Sequence, residues 1–162
     1  MANIDLTKFE KIAVNNFVEK INESKNREFK LQTQGDFYFE CFHDVKFDCI
    51  AFEEKSKSLI LIEVALCGDA IDFKTGPNRK MLTDGFKLSA VDSFFKDKSD
   101  VKVEQKVLIC KNSEIVSKIN TGWAKKAFSF HRIDVLEATF KPNEQIEIDS
   151  IIQDAINEQT KK

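Results

Sequence analysis

The run Leu59-Ile60-Leu61-Ile62-Glu63-Val64-Ala65-Leu66 constrains this chain more than any other stretch. Both parities of the run are apolar, so it does not fit a strand with one wet face. It reads as a strand buried on both sides, in a sheet covered by helices. Glu63 is then out of place. A carboxylate there must be ion-paired, bound to a metal, or pushed to a raised pKa. A second acid, Asp48, interrupts the preceding apolar stretch Phe47-Asp48-Cys49-Ile50-Ala51-Phe52. Two acids on adjacent strands joined by a short turn are one way to build a divalent-cation site. The plainer alternative pairs Glu63 with a Lys from a covering helix, because structural ion pairs also perturb pKa values.

A chain of 162 residues suits one domain, 1–162, with a single core. Its hydrophobic share of 42% and charged share of 32% are those of an ordinary soluble globular protein. A net charge of −2 does not mark the whole molecule for nucleic acid. The distribution is uneven. Lys111, Lys118, Lys125, Lys126 and Arg132 face only Glu114 in sequence, whereas Glu144, Glu147, Asp149, Asp154 and Glu158 form an acidic C-terminal stretch. Trp123 stands just before Lys125 and Lys126, a ring-and-cation combination that suits nucleic acid; the competing reading places it at the core edge. Cys41, Cys49, Cys67 and Cys110 form no close-spaced pair and have apolar neighbours. They read as small buried hydrophobes in a reducing compartment, not as a zinc site. The start has no signal-peptide pattern and no run reaches membrane-spanning length, which points to the cytoplasm and to no membrane partner.

The hydrophobic spacing predicts helices over 5–25, 79–96, a short one from Asn112 or Ser113 to Thr121-Gly122, and a last one from about Ser150. It predicts strands over 37–42, 45–53, 59–67, 101–110 and 128–140, and a loop over Gly68–Asn78. Gly85, in the middle of a predicted helix, costs about 1 kcal/mol against Ala and is tolerable if something packs closely there. The fold class is therefore α/β, an α+β mixed sheet in the order helix, three strands, helix, strand, helix, strand, helix.

That order, with Asp48 on the second strand and Glu63 on the third, resembles the core of the restriction-endonuclease-like PD-(D/E)xK nuclease superfamily. The similarity covers roughly residues 5–140. The family pattern is an Asp, a variable gap, then Glu-x-Lys in the next strand. The helix with Lys80-Met81-Leu82-Thr83-Asp84-Gly85-Phe86-Lys87-Leu88 also resembles the one that follows in several members. The pattern is incomplete here, because Ala65 stands where the family carries Lys and Phe47 where it often carries Pro. The resemblance implies a metal-dependent endonuclease, with Mg²⁺ or Mn²⁺ held by Asp48 and Glu63 and DNA as partner. Some members supply the Lys from the following helix. Lys80 is the residue assigned that role, with Lys87 two turns on and Lys74 before it; a solvated helix face is the plainer reading of each. Lys125, Lys126 and Arg132 would hold phosphates. A twofold homodimer would suit double-strand cleavage.

Two other readings stay open. One is a catalytically inactive binding or adaptor module on the same fold, which Ala65 favours. The other is a small acidic binding protein of the chaperone or immunity type. Glu10 and Glu19 on the first helix and Glu40 on the first strand are further acids that the spacing does not select. His43 and His131 lack a nucleophile partner, and Gly76-Pro77-Asn78-Arg79-Lys80 lacks the spacing of a phosphate loop.

Overall fold

The computed structural model describes residues 6–32, 47–65, 76–95 and 100–150, and the side chains of 8–32, 47–65, 81–90 and 100–150. The elements are α1 (Leu6–Lys25), β1 (Lys30–Gln32), β2 (Cys49–Glu53), β3 (Ser58–Ala65), α2 (Gly76–Phe95), β4 (Lys102–Cys110), α3 (Ser113–Ile119), α4 (Gly122–Phe130) and β5 (Ile133–Glu137). Helical backbone follows over 142–150, here α5. The five strands form one sheet in the order β1-β2-β3-β4-β5. The first three pair antiparallel, β3 with β4 and β4 with β5 parallel. Each parallel step needs a crossover, supplied by α2 and then by α3 with α4.

All eight residues of β3 are buried, as a strand covered on both faces requires. Its side chains divide by parity. Leu59, Leu61 and Ala65 pack with Met81 and Leu88 of α2, Ile115 and Ile119 of α3, and Ala124 and Phe128 of α4. Ile60, Ile62 and Val64 pack with Phe9, Ala13, Val14 and Val18 of α1, and with Ile148 of α5. The result is three layers, with both crossover helices on one face. Glu63 shares the parity of Leu59 and Leu61, so it points toward the crossover helices.

Several boundaries differ from the sequence expectation, among them the start of β2 at Cys49, which leaves Asp48 outside the strand, and the end of β5 at Glu137. Helix α2 begins at Gly76, inside the expected loop, because a Pro in the first turn of a helix needs no acceptor for an N–H it lacks. Residues 122–130 are helical, whereas a strand was expected from 128; β5 starts only at Ile133. The buried pair Ala124 and Phe128 has helical spacing, and the alternation of Phe128 and Phe130 with polar residues masked it. His131 is therefore the C-cap of α4 and not a strand residue. The last helix includes residues 142–150 and so begins before Ser150, and the three-residue edge strand β1 is too short to leave a periodic signal. The expected strand at 37–42, with Glu40 and Cys41, lies outside the described residues, as do His43, Cys67 and Lys74.

Gly85 has its packing partner. A Cβ there would stand 2.0 Å from Cε1 of Phe128, so α2 and α4 meet at a contact that only glycine allows. One extra residue, Glu104, is inserted in β4 where the register shifts opposite Leu59 and Ile60. Its carboxylate meets Arg27, whose guanidinium also clasps Glu53 of β2 and Ser56 of the β2–β3 turn.

Candidate metal centre

The register of β2 and β3 pairs Cys49 with Ile62, so the next step sets Asp48 opposite Glu63. Opposed residues of an antiparallel pair share a face. Asp48 stands just outside β2 and is exposed. Its Oδ2 accepts the Val64 N–H at 2.8 Å, which fixes the carboxylate over the end of β3. Glu63 is wholly buried at 0% exposure.

Helix α2 completes the cluster. Met81, Asp84 and Leu88 repeat at three and four, and that stripe faces the sheet. Asp84 is an acid within the apolar stripe, 2% exposed. Lys87, three residues on, reaches inward. Its Nζ donates to Glu63 Oε2 at 2.8 Å, lies 2.8 Å from Oε1, and is 3.2 Å from Asp84 Oδ1. Oxygens of Asp48, Glu63 and Asp84 all lie within 4.8 Å of one another. Glu63 Oε1 is buried, and its contact with the Lys87 ammonium is an ion pair without a well-directed hydrogen bond.

The electrostatics follow from this crowding. Burial pushes the Glu63 carboxyl up to about 8, and the Asp48 charge adds to the rise, while the Lys87 hydrogen bond holds it back. Burial alone would lower the Lys87 ammonium, but Glu63 and Asp84 outweigh it and hold the group above its ordinary value. Two carboxylates, Glu63 and Asp84, thus share one ammonium, and Asp48 adds a third negative charge beside Glu63.

That set can bind a small hard cation. All three donors are oxygens, the preference of Mg²⁺, Mn²⁺ and Ca²⁺. Two ligands on one Mg²⁺ stand at most about 4.2 Å apart, so modest side-chain rotation closes the cluster around an ion. A divalent cation would also offset the negative charge that Asp48, Glu63 and Asp84 carry beyond the one ammonium of Lys87.

No protein-family model, curated protein or solved structure matches the chain.

Of the residues selected from sequence, Asp48 and Glu63 are brought together. Lys80 lies in the first turn of α2, its side chain outside the described residues; the cation that reaches Glu63 is Lys87. Lys125, Lys126 and Arg132 are exposed on α4 and the turn after it. Glu19 is committed to Lys141 at 3.2 Å on the α1 side of the sheet. Cys49 is half-buried with its thiol pushed up to about 11 by burial, and Cys110 is buried, as inert thiols should be. Asp84 was missed, although its signal was present: an acid on the same helical stripe as Met81 and Leu88 is as anomalous as Glu63 in its strand. No helix among the described residues is long and apolar enough to cross a membrane.

Proposed function

We propose that this chain is a metal-dependent nuclease on a restriction-endonuclease-like core, acting on DNA. The observation that carries the reading is the convergence of Asp48, Glu63 and Asp84 with Lys87 on one end of the β2–β3 hairpin. Part of the strand order supports it too: β2 and β3 pair antiparallel and a helix crosses over to the parallel β4, while the expected first strand at 37–42 lies outside the described residues. Lys87 offers the positive charge that Ala65 cannot.

Asp48, Glu63 and Asp84 would hold Mg²⁺ or Mn²⁺, which when bound supplies Lewis-acid polarisation of a phosphate oxygen and a more acidic water. Lys87 shares the carboxylates with that cation. The Lys87 ammonium, beside Glu63 and Asp84, would stabilise developing charge on a phosphate held there. Asp48, the exposed member, sits where substrate would enter, and its bond from Val64 N–H keeps one oxygen aimed inward.

One observation favours the inactive binding module instead. Glu63 already has an ion-pair partner, and Asp48 already has a backbone donor. A test must therefore separate structural from metal roles. Asp48→Asn retains an oxygen for Val64 N–H and removes the charge. The nuclease reading expects Mg²⁺- or Mn²⁺-dependent cleavage of DNA by the wild type, loss of about a hundredfold or more in Asp48→Asn and Lys87→Met, and melting of Asp48→Asn no lower than that of the wild type. A folded wild type that neither cleaves nor binds either cation would leave the adaptor module as the better reading.

A further inference from the structure

We infer that the α2–α4 face is a stacking platform for single-stranded DNA, which makes unpaired DNA the substrate class; this deepens the nuclease reading and rests on it. Five large apolar side chains are exposed among the described residues, and three of them gather here: Phe86 at 73%, Trp123 at 68% and Phe130 at 82%. Phe86 and Trp123 flank a groove of about 230 Å³ whose floor is the Gly85–Phe128 contact. Phe130 continues the aromatic surface through His131, which it meets edge-on at 5.1 Å.

The sequence of α4 sorts its cations. Trp123, Lys126 and Phe130 recur at three and four, so they share one exposed stripe. Lys125 falls on the opposite side of the helix. Arg132 follows in the turn, exposed and in a left-handed conformation at φ 53°. No acidic residue occurs between Thr121 and Ile133. Among the described residues, Lys126 and Arg132 carry no ion pair or hydrogen bond from their side chains.

Exposed rings with unpaired cations beside them match a polyanion with free ring faces. Duplex DNA hides its base faces in the stack and would leave the rings in water. A second copy of this chain with this face on the twofold axis would bring Lys126 and Arg132 near the same cations. The choice of DNA over RNA follows from the nuclease reading, and matching RNA is an arm of the test below. Helix α2 joins the two sites, with Asp84 and Lys87 facing the carboxylates and Leu82, Phe86 and Ser89 facing the groove.

Trp123 is the only tryptophan, so its emission reports this surface alone. The experiment titrates the full chain, in EDTA, with a short single-stranded DNA, the same sequence as duplex, and the matching RNA. Labelled-oligonucleotide anisotropy is read in parallel. We expect quenching by single-stranded DNA, with duplex binding weaker by about tenfold or more. Trp123→Ala and Phe130→Ala should each weaken binding by about tenfold, as the loss of one stacked base does. Arg132→Ala should lower the slope of log affinity against log salt by about 0.7. Ile146→Ala, equally exposed on α5, should change nothing.

Equal binding of duplex and single strand without quenching overturns the platform, as does tighter binding of RNA. A DNA-free dimer that Phe86→Ala dissolves overturns it in favour of an interface between copies. The nuclease reading fails separately. Single-strand binding that persists in Asp48→Asn, with no cleavage by the wild type, keeps the platform and removes the enzyme. Metal-dependent cleavage of duplex without quenching does the reverse.

Discussion

Glu63 holds a proton more firmly in the folded chain than in the unfolded one, because burial and Asp48 raise it from 4.5 to about 8. Raising the pH through that window removes stability, since the unfolded state gives up the proton first. Metal-free wild type is therefore expected to melt lower at pH 8 than at pH 5.5, and Glu63→Gln to flatten that alkaline decline, both by calorimetry. A divalent cation binds the ionised form, so Mg²⁺ or Mn²⁺ should restore the loss in wild type and not in Glu63→Gln. On the acid side the sign reverses. Arg27 and Ser56 hold Glu53 down at about 2, and Arg27 holds Glu104 below its ordinary value despite burial. Those contributions are present above about pH 4.5 and are lost as the pH falls below it.

Helix α2 does three things at once. Its Met81–Asp84–Leu88 stripe seals one face of the sheet, Lys87 reaches the buried carboxylates, and Gly85 lets α4 approach. A methyl at Gly85 would gain about 1 kcal/mol in helix propensity but collide with the Phe128 ring. Overpacking of this kind costs about 1–3 kcal/mol, and here the helices must part or the ring must turn. Gly85→Ala is thus expected to be less stable than wild type in urea, despite improving the helix in isolation. Because α2 carries both sites, the same variant should also disturb quenching at Trp123. An unchanged midpoint would mean that Phe128 has another rotamer available. Helix α4 depends on this contact too, since Ala124 and Phe128 are its buried residues.

At the scale of the whole molecule, Arg27 ties parts distant in sequence. It leaves α1 and bridges Glu53 at the end of β2 with Glu104 at the β4 insertion, 26 and 77 residues away. The insertion matters because it interrupts the β3–β4 register beside Leu59 and Ile60, the one irregularity in that pairing. Other ion pairs join α1 to the C-terminal region, Lys8 with Glu147 and Lys141 with Glu19, but they are exposed and screened by water. Arg27→Ala is expected to lower the melting temperature clearly more than Lys141→Ala. Equal effects of the two would show that the clasp contributes no more than a surface pair.

Much of the layer order was legible before any coordinates. A strand apolar on both parities demands helices on both faces, and Phe9, Ala13, Phe17 and Ile21 mark the first of them. Glu63 declared itself because a charge inside such a strand has no cheap local explanation. Local pattern also sufficed for Gly85, a residue whose helical cost asked for a close neighbour. The rest needed the third dimension. Which lysine meets Glu63 depends on how α2 docks across β3, and Lys80 and Lys87 are two turns apart on a similar face, so spacing alone could not choose. Asp84 becomes a ligand candidate only when its stripe is laid against the hairpin that carries Asp48. The end of α4 hid because Phe128 and Phe130 alternate with polar residues as in a strand, and only the packing of Ala124 and Phe128 against α2 shows the helical period. Sequence set the alternation of faces, because burial follows residue chemistry one position at a time; tertiary structure assembled the site, because its members lie on separate elements that meet only when the sheet is covered.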